Sequence, residues 1–382
     1  MLRAACTLAT VFAAVCGAAD PGVEFEPLFR EAAARLERRY AANDVRTADA
    51  WRDLGLLLLE NGKPVEAERW LRRALAVHEE ASDDPLESAR DREALAAILL
   101  AQGDGEGAEP LYRQALATRI ELHGENHPET ADLRVRLGVL LEAKGDLAGA
   151  EQHYRVAVEA VPDGDVLERL SGLAEARGDF DSAEAAAKQA LKVRERTLGP
   201  VHPKTAAAYD TLGLLAMNGG RLEQASAHFE RAIQAYRAGA GLEREDAAFA
   251  LDNLGNVRRA QGRYGEAKSL LEQALSIRRM ILGEAHPDTA TTLVNLGGLY
   301  HVQGKLAEAE SLYQQAIAIQ RTQLGANDPV VGQTLYNLGH LLAAKGDRVG
   351  ARDALEQAAA ILEQAYGPED EMVVEIRRLL AR

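Results

Sequence analysis

The 382-residue chain is poor in cysteine, and this scarcity restricts the chemistry open to it. Its two cysteines, Cys6 and Cys16, both lie close to the N-terminus. If that segment is removed by processing, the mature chain has no cysteine. A disulfide framework, a thiolate metal site and a cysteine nucleophile are then excluded.

Aromatic residues are also scarce, at 5% of the chain, and there are only 12 prolines. Few stretches show the alternation of Val, Ile or Thr with polar residues that is typical of strands. The chain is instead rich in Ala, Leu, Glu, Gln and Arg, which favour helices. We therefore expect an all-α fold.

Positive charge is in deficit, because the formal net charge is -15. A nucleic-acid-binding protein needs a basic surface that displaces counterions, so nucleic acid is not an expected partner. The same deficit argues against docking on anionic lipid. Beyond the N-terminal segment no apolar run is long enough to span a membrane, and no integral membrane span is expected.

Residues 1–19 have the pattern of an export signal. Arg3 gives a positive start, residues 4–15 form a short apolar run, and small residues then precede Asp20. The pattern predicts a periplasmic or secreted protein, whereas a chain without a working signal would be cytoplasmic. A lipid anchor on Cys16 is a weaker alternative, because valine precedes it where the lipobox pattern has Gly, Ala or Ser.

An internal repeat organises residues 47–368 into eight units. Its first landmark is an alanine early in the second helix of each unit, at Ala67, Ala108, Ala150, Ala183, Ala225, Ala267, Ala309 and Ala351. Successive alanines are 41, 42, 33, 42, 42, 42 and 42 residues apart. A second alanine follows seven residues later in every unit, and a Leu-Gly pair marks the first helix of six units.

Each unit has the pattern of two antiparallel helices. Within residues 289–330, apolar residues recur at helical spacing on both sides of Gly304, which is expected to end the first helix. The second helix is expected to run to about Leu324 before Gly325, and Pro329 opens the next unit. Outside the repeats we expect an N-terminal solvating helix within residues 20–46. Residues 369–382 are expected to form a C-terminal capping helix, with Val373, Ile376, Leu379 and Leu380 on one face.

This pattern resembles the tetratricopeptide repeat, whose signature is matched in the first unit by Trp51, Leu54, Gly55, Ala67 and Ala74. The 42-residue units are similar to those of kinesin light chains, which carry a Gly-x-x-His-Pro link. Such links occur at residues 124–128, 199–203 and 283–287, and the last link has Asp328 in place of histidine. The resemblance implies a right-handed superhelical solenoid of antiparallel helix pairs that holds proteins or peptides.

No catalytic or metal-binding motif stands out. The link histidines His127, His202 and His286 are whole repeats apart, and packed helices lie about 8–10 Å from each other, too far for shared coordination. Phosphate-binding loops, His-Glu-x-x-His and Gly-x-Ser-x-Gly elbows are all lacking. We therefore expect no catalytic residue, no cofactor and no metal site, and the chain is not expected to be an enzyme.

The resemblance also implies that the first helices line a concave groove, into which the residue before Leu-Gly points. That residue is Asn253, Asn295 and Asn337 in the last three 42-residue units; Asn256 and His340 lie three residues further on, and Arg259 and His301 six. Amides can bond an extended peptide whatever its sequence. Alternatively, each asparagine bonds the neighbouring helix. A carboxylate clamp is not expected, because its lysine positions hold Ala207, Phe249, Thr291 and Gln333.

These observations favour a non-catalytic scaffold that binds an unknown protein or peptide through the groove. Two alternatives stay open. The chain could be a structural or assembly factor of an envelope complex, with self-association through its convex face or ends. It could also regulate an enzyme in trans.

Overall fold

The computed structural model describes residues 25–239 and 241–381. The predicted export signal, residues 1–19, lies outside this range. Within it the chain forms 18 α-helices and no strand, which confirms the expected all-α fold. The helices are α1 Phe25–Tyr40, α2 Val45–Glu60, α3 Pro64–Ala81, α4 Pro85–Ala101, α5 Gly105–His123, α6 Pro128–Ala143, α7 Leu147–Ala160, α8 Gly164–Ala176, α9 Phe180–Thr197, α10 Pro203–Asn218, α11 Leu222–Ala238, α12 Glu245–Ala260, α13 Tyr264–Ile281, α14 Pro287–Val302, α15 Leu306–Leu324, α16 Pro329–Lys345, α17 Arg348–Tyr366 and α18 Glu371–Leu380.

The helices alternate between two roles. The even-numbered helices α2 to α16 carry the Leu-Gly position and are called A helices below. The odd-numbered helices α3 to α17 carry the two alanines and are called B helices. The chain divides into two compact units, with the boundary between Leu173 and Ala174 in α8. In the first unit each helix from α1 to α7 packs on the next, and in the second unit the same holds from α9 to α18.

The glycine of the Leu-Gly pair lets an A helix that carries it approach its B helix closely. A Cβ atom on Gly297 of α14 would lie 2.8 Å from a ring carbon of Tyr313 on α15. On α12, a Cβ atom on Gly255 would lie 2.7 Å from Cγ of Leu271. Both Tyr313 and Leu271 are buried in the core. Glycine is therefore required at Gly255 and Gly297 for these two pairs to close without displacing a core side chain.

The His-Pro links begin the A helices. In each link the histidine is the N-cap, and its Nδ1 atom accepts a hydrogen bond from the backbone amide two residues on. The N···N distances are 3.2 Å for His127, 3.1 Å for His202 and 3.1 Å for His286. At the last link an Oδ1 atom of Asp328 accepts the equivalent bond from Val330 at 2.8 Å. Aspartate can replace histidine there because both supply an acceptor to an unpaired helix amide.

The C-terminal helix α18 packs against α17. Val373 and Ile376 are buried in the same apolar cluster as Leu362 of α17, while Leu379 and Leu380 pack partly buried at its edge. The last B helix therefore has its apolar face covered. Stacked repeats expose an apolar face at the end of an array, and a capping helix of this kind covers it.

Candidate functional site

The seven residues predicted to form a groove all lie on α12, α14 and α16, three successive A helices of the second unit. Helix α14 contacts both α12 and α16. We call the surface carrying these residues the A-helix face. Its members, each half-buried, are Asn253, Asn256, Arg259, Asn295, His301, Asn337 and His340.

The three asparagines occupy one repeat position but have three different bonding patterns. The amide of Asn253 donates to the carbonyl oxygen of Phe249 on its own helix, at 3.1 Å. Asn295 donates to Oδ2 of Asp252 on α12, at 2.6 Å. The side chain of Asn337 makes no hydrogen bond to the described part of the chain. Asn295 thus supports the neighbouring helix, whereas Asn337 has its full bonding capacity available.

Two other members of the face carry buried polar atoms that lack a hydrogen-bond partner among the described residues. They are Oδ1 of Asn256 and Nε2 of His340. The His340 ring is held by an edge contact with Tyr336, with ring centroids 4.5 Å apart. Burial, together with nearby His340, lowers the pKa of His301, so His301 is neutral at pH 7.

Arg259 lies against the neighbouring A helix at Gly298. A Cβ atom on Gly298 would lie only 2.6 Å from Nη1 of Arg259. Gly298 occupies the repeat position that holds Asn256 on α12 and His340 on α16. Because Gly298 has no side chain, the surface of α14 has room for the guanidinium group of Arg259.

A series of buried polar residues near the ends of the B helices was not predicted from the sequence. It comprises His78, Arg119, Arg194, Tyr236, Arg278 and Gln320, each eleven residues after the first alanine of its unit. Arg278, for example, pairs with Glu245 at 2.9 Å and donates to Oγ1 of Thr292 at 2.8 Å. The sequence signal is a polar residue recurring in register where an apolar one is expected.

Buried carboxyl groups accompany this series in the second unit. Burial raises the pKa of Asp210 to about 8, although Tyr236 donates a 2.9 Å hydrogen bond to it. Burial also raises the pKa of Asp252, but only to about 6, because Arg278 and Asn295 favour its ionised form. The interior of the second unit thus contains carboxyl groups that titrate near neutral pH.

Two clusters in the first unit bring histidine and carboxylate ligand atoms within 4.8 Å of one another: Asp49, His78 and Glu87, and His123, His127 and Glu129. In the first cluster the ring nitrogens of His78 face Asp91 at 2.5 Å and Asp49 at 3.5 Å. Burial opposes protonation there, but the two carboxylates outweigh it and raise the pKa of His78 to about 9. His78 is therefore a cation at pH 7 and unsuited to bind a metal.

Helix pairs that each pack on their neighbours define an α-helical repeat protein. Residues 91–163, 164–238 and 246–322 match a family model described as tetratricopeptide repeat, and these ranges span more than half of the chain. Residues 28–85 and 331–371 match two further models with the same description. The chain belongs to the tetratricopeptide repeat family. Its fold is that of a protein-interaction scaffold, and such scaffolds are generally non-catalytic.

Solved structures with the same fold include a STAND signal transduction ATPase with a tetratricopeptide repeat sensor from Pyrococcus horikoshii. It is 16% identical, with a TM-score of 0.58 over 95% of this chain and 56% of that chain. The C-terminal part of a TPR repeat-containing protein from Cytophaga hutchinsonii is 14% identical, with a TM-score of 0.51 over 66% of this chain and 92% of that one. At these identities the likeness shows the fold alone.

A kinesin light chain from Podosopora anserina with nearly identical TPR-like repeats is also similar. It is 24% identical, with a TM-score of 0.44 over 52% of this chain and 95% of that chain. No curated protein sequence matches the chain. In the described ranges, no helix combines the length and apolar character needed to cross a membrane.

Proposed function

We propose that the A-helix face of α12, α14 and α16 binds an extended segment of another protein. The observation that carries the proposal is the pair of buried, unpartnered atoms, Oδ1 of Asn256 and Nε2 of His340. Buried polar atoms are normally hydrogen-bonded, and each one left without a partner costs about 1–3 kcal/mol. A bound peptide backbone supplies amide donors and carbonyl acceptors, so it can satisfy both atoms once the two side chains turn towards it.

The remaining members of the face suit the same ligand. The free amide of Asn337 adds two donors and an acceptor for the peptide backbone. Arg259 forms no ion pair with the described residues, so its charge is available for a carboxylate of the ligand. His301 is neutral at pH 7 and does not compete with Arg259 for such a carboxylate. We expect the bound segment to be extended and to carry an acidic residue opposite Arg259.

Asn295 has a different role in this proposal. Its amide is already bonded to Asp252, so it cannot turn towards a ligand without removing a hydrogen bond from a buried carboxyl group. We therefore assign Asn295 to the support of the face, and Asn253, Asn256, Arg259, Asn337 and His340 to contact with the ligand.

Selection from a random peptide display library, followed by affinity measurement, tests this proposal. The selected peptide should bind the double variant Asn256→Ala, His340→Ala at least about tenfold more weakly, since each lost hydrogen bond weakens binding by about this factor. The control variant Gln314→Ala, Gln315→Ala changes exposed residues of the B helix α15 and should bind like the wild type. Equal affinity of both variants, with unchanged helicity, would exclude the A-helix face as the site.

A second candidate function is assembly with another subunit through the B helices. Two clefts of about 410 and 340 Å³ open between successive B helices of the second unit. Leu275, Leu293 and Leu296 line the first, and Ile317, Leu335 and Leu338 line the second, at positions 42 residues later. Exposed Ser276 and Ala318 lie at equivalent places in the clefts.

If the assembly role holds, the double variant Ser276→Arg, Ala318→Arg should dissociate the complex, as measured by light scattering. A wild-type chain that is strictly monomeric and copurifies with no complex would contradict the assembly role.

We also propose that the chain is exported. The support is the charge and apolar pattern of residues 1–19, which ends in small residues before Asp20. Cell fractionation with N-terminal sequencing should find a mature chain in the envelope or medium that begins at Asp20. A cytosolic chain that retains Met1 would contradict export without affecting the binding proposal.

A further inference from the structure

The link between α5 and α6 brings together two imidazole rings and one carboxylate. One ligand atom from each of His123, His127 and Glu129 lies within 4.8 Å of the others. The two ring centroids are 4.3 Å apart, and Nδ1 of His123 lies 3.8 Å from Oε2 of Glu129. We propose that these three residues bind a divalent transition-metal ion, with Zn²⁺ as the best-fitting ion.

The backbone of the link explains why these side chains meet. His123 is the last residue of α5, His127 is the N-cap of α6, and Glu129 lies in the first turn of α6. Gly124 has a φ of 84°, so the chain can reverse direction directly after His123. The three side chains therefore converge through one short turn, and the site needs no contribution from a distant part of the chain.

Each histidine has a ring nitrogen available for an ion. Nδ1 of His127 accepts the N-cap hydrogen bond from the amide of Glu129, at 3.2 Å. This bond places the proton of the neutral ring on Nε2. Coordination through Nε2 therefore moves that proton to Nδ1 and exchanges the N-cap hydrogen bond for a bond to the ion. Nδ1 of His123 is buried and has no hydrogen-bond partner among the described residues. An ion would satisfy this atom of His123.

Arg119 holds the carboxylate of the site. Its buried guanidinium contacts both Glu129 of the site and Glu93 of α4. Metal-ligating carboxylates are commonly oriented by such outer hydrogen bonds. The charge of Arg119 is balanced by one of the two glutamates. Arg119, Glu93 and Glu129 together therefore retain one negative charge, which favours a bound cation.

The donor set determines the class of ion. Two imidazoles with one carboxylate suit Zn²⁺, Cu²⁺ or Ni²⁺ better than Mg²⁺ or Ca²⁺, which prefer oxygen ligands. Zinc binds imidazole nitrogen and carboxylate oxygen at about 2.0–2.2 Å, so small rotations about side-chain bonds suffice to close the present separations. Three protein ligands leave a fourth position for water or for a group from a binding partner.

The other links show that His123 is not needed for folding. Its position holds Leu198, Leu282 and Leu324 in the three later links, all of which form the same turn. Arginine is kept at the Arg119 position in two of them, as Arg194 and Arg278. The link between α5 and α6 therefore differs from the three later links in having histidine where they have leucine. His123→Leu is accordingly a variant that removes a ligand and retains the sequence pattern of the fold.

Isothermal titration of the metal-free full chain with Zn²⁺ alone tests the site. Both cysteines are first blocked by alkylation, so that thiolate binding does not contribute. We expect one Zn²⁺ per wild-type chain and at least about tenfold weaker binding for His123→Leu, since loss of even an outer partner costs this much. The control is His202→Asn, which removes a link histidine outside the cluster and keeps a side-chain oxygen for the N-cap.

Three results would overturn the proposal. They are wild-type affinity for Zn²⁺ in His123→Leu, equal weakening in His202→Asn, and no stoichiometric binding by the wild-type chain. Circular dichroism of all three proteins should show the same helicity, and a thermal shift on adding Zn²⁺ should be seen for the wild type and His202→Asn. If His123→Leu loses helicity, Glu129→Gln replaces it as the test variant, with the same expected loss of affinity.

Discussion

The side-chain amide of Asn295 donates a 2.6 Å hydrogen bond to the buried carboxyl group of Asp252 on the preceding A helix. This bond joins α12 to α14 and, with nearby Arg278, limits the rise in the pKa of Asp252 that burial causes. An amide that seemed from its position to face a ligand therefore holds two repeats together. The asparagines of the A-helix face have to be tested separately.

Asn295→Ala should destabilise the second unit more at pH 8 than at pH 5. Above its pKa of about 6 Asp252 is ionised, and a hydrogen bond to a charged group contributes about 1.5–3 kcal/mol. Urea unfolding at the two pH values measures the difference. Asn337→Ala, which breaks no hydrogen bond of the described chain, should stay within about 0.5 kcal/mol of the wild type. An equal loss at both pH values for Asn295→Ala would show that the bond does not depend on the charge of Asp252.

Asp210→Asn should stabilise the protein at pH 8 and flatten its pH dependence. The pKa of Asp210 rises from 3.8 to about 8 on folding, so the folded state binds more protons between these values. Stability therefore falls as pH rises through this window, by at most about 1.4 kcal/mol per pH unit. Thermal unfolding from pH 4 to pH 8 measures the slope, with exposed Asp353→Asn as the control. A wild-type slope in Asp210→Asn would mean that Asp210 is ionised in the folded protein.

His78→Gln should reduce stability at pH 6 and have much less effect at pH 9.5. The pKa of His78 rises from 6.5 to about 9 on folding, so its contribution is complete below pH 6.5 and disappears as pH rises through 9. The two tryptophans of the chain, Trp51 and Trp70, both lie in the first unit, so their fluorescence follows unfolding around His78. The difference between variant and wild type should shrink with pH, and a constant difference would contradict a charged His78.

The adjacent glycines of α14 should respond in opposite ways to alanine. Gly297→Ala places a Cβ atom 2.8 Å from the buried ring of Tyr313, and such overpacking costs about 1–3 kcal/mol. Gly298→Ala comes too close only to the flexible end of Arg259 and lies 3.6 Å from Oη of Tyr313, an ordinary contact. The better helix propensity of alanine should therefore give about 0.5–1 kcal/mol of stability. Melting temperatures of the two variants, compared with wild type, measure the signs. Destabilisation by Gly298→Ala equal to that by Gly297→Ala would place Arg259 in a fixed structural role.

The repeat fold could be predicted from the sequence because its landmarks are local. Alanine and Leu-Gly positions recur at fixed intervals, since small side chains are needed wherever two helices cross closely. The link prolines and glycines mark the helix ends for equally local reasons. These features need no knowledge of which side chains meet across the fold.

The candidate sites were harder to predict. Some depend on residues that are distant in sequence, and others on residues that a comparison of equivalent repeat positions does not bring together. Asp252 precedes Asn295 by 43 residues, and only the structure shows that the two meet. The link histidines of different repeats lie far apart. The pair His123 and His127 lies within one link, so a comparison between repeats does not reveal it. Arg278 recurs in register with other polar residues, but only the structure shows that it is buried.

Photocrosslinking from the A-helix face tests the central claim most directly. Benzoylphenylalanine is placed at exposed Gln333, one helical turn before Asn337 on α16, and in a control at exposed Gln315 on the B helix α15. With the peptide selected by the wild-type chain, we predict efficient crosslinking from position 333 and little from position 315. Crosslinking from position 315 and none from position 333 would show that the ligand binds the B helices and would contradict the claim.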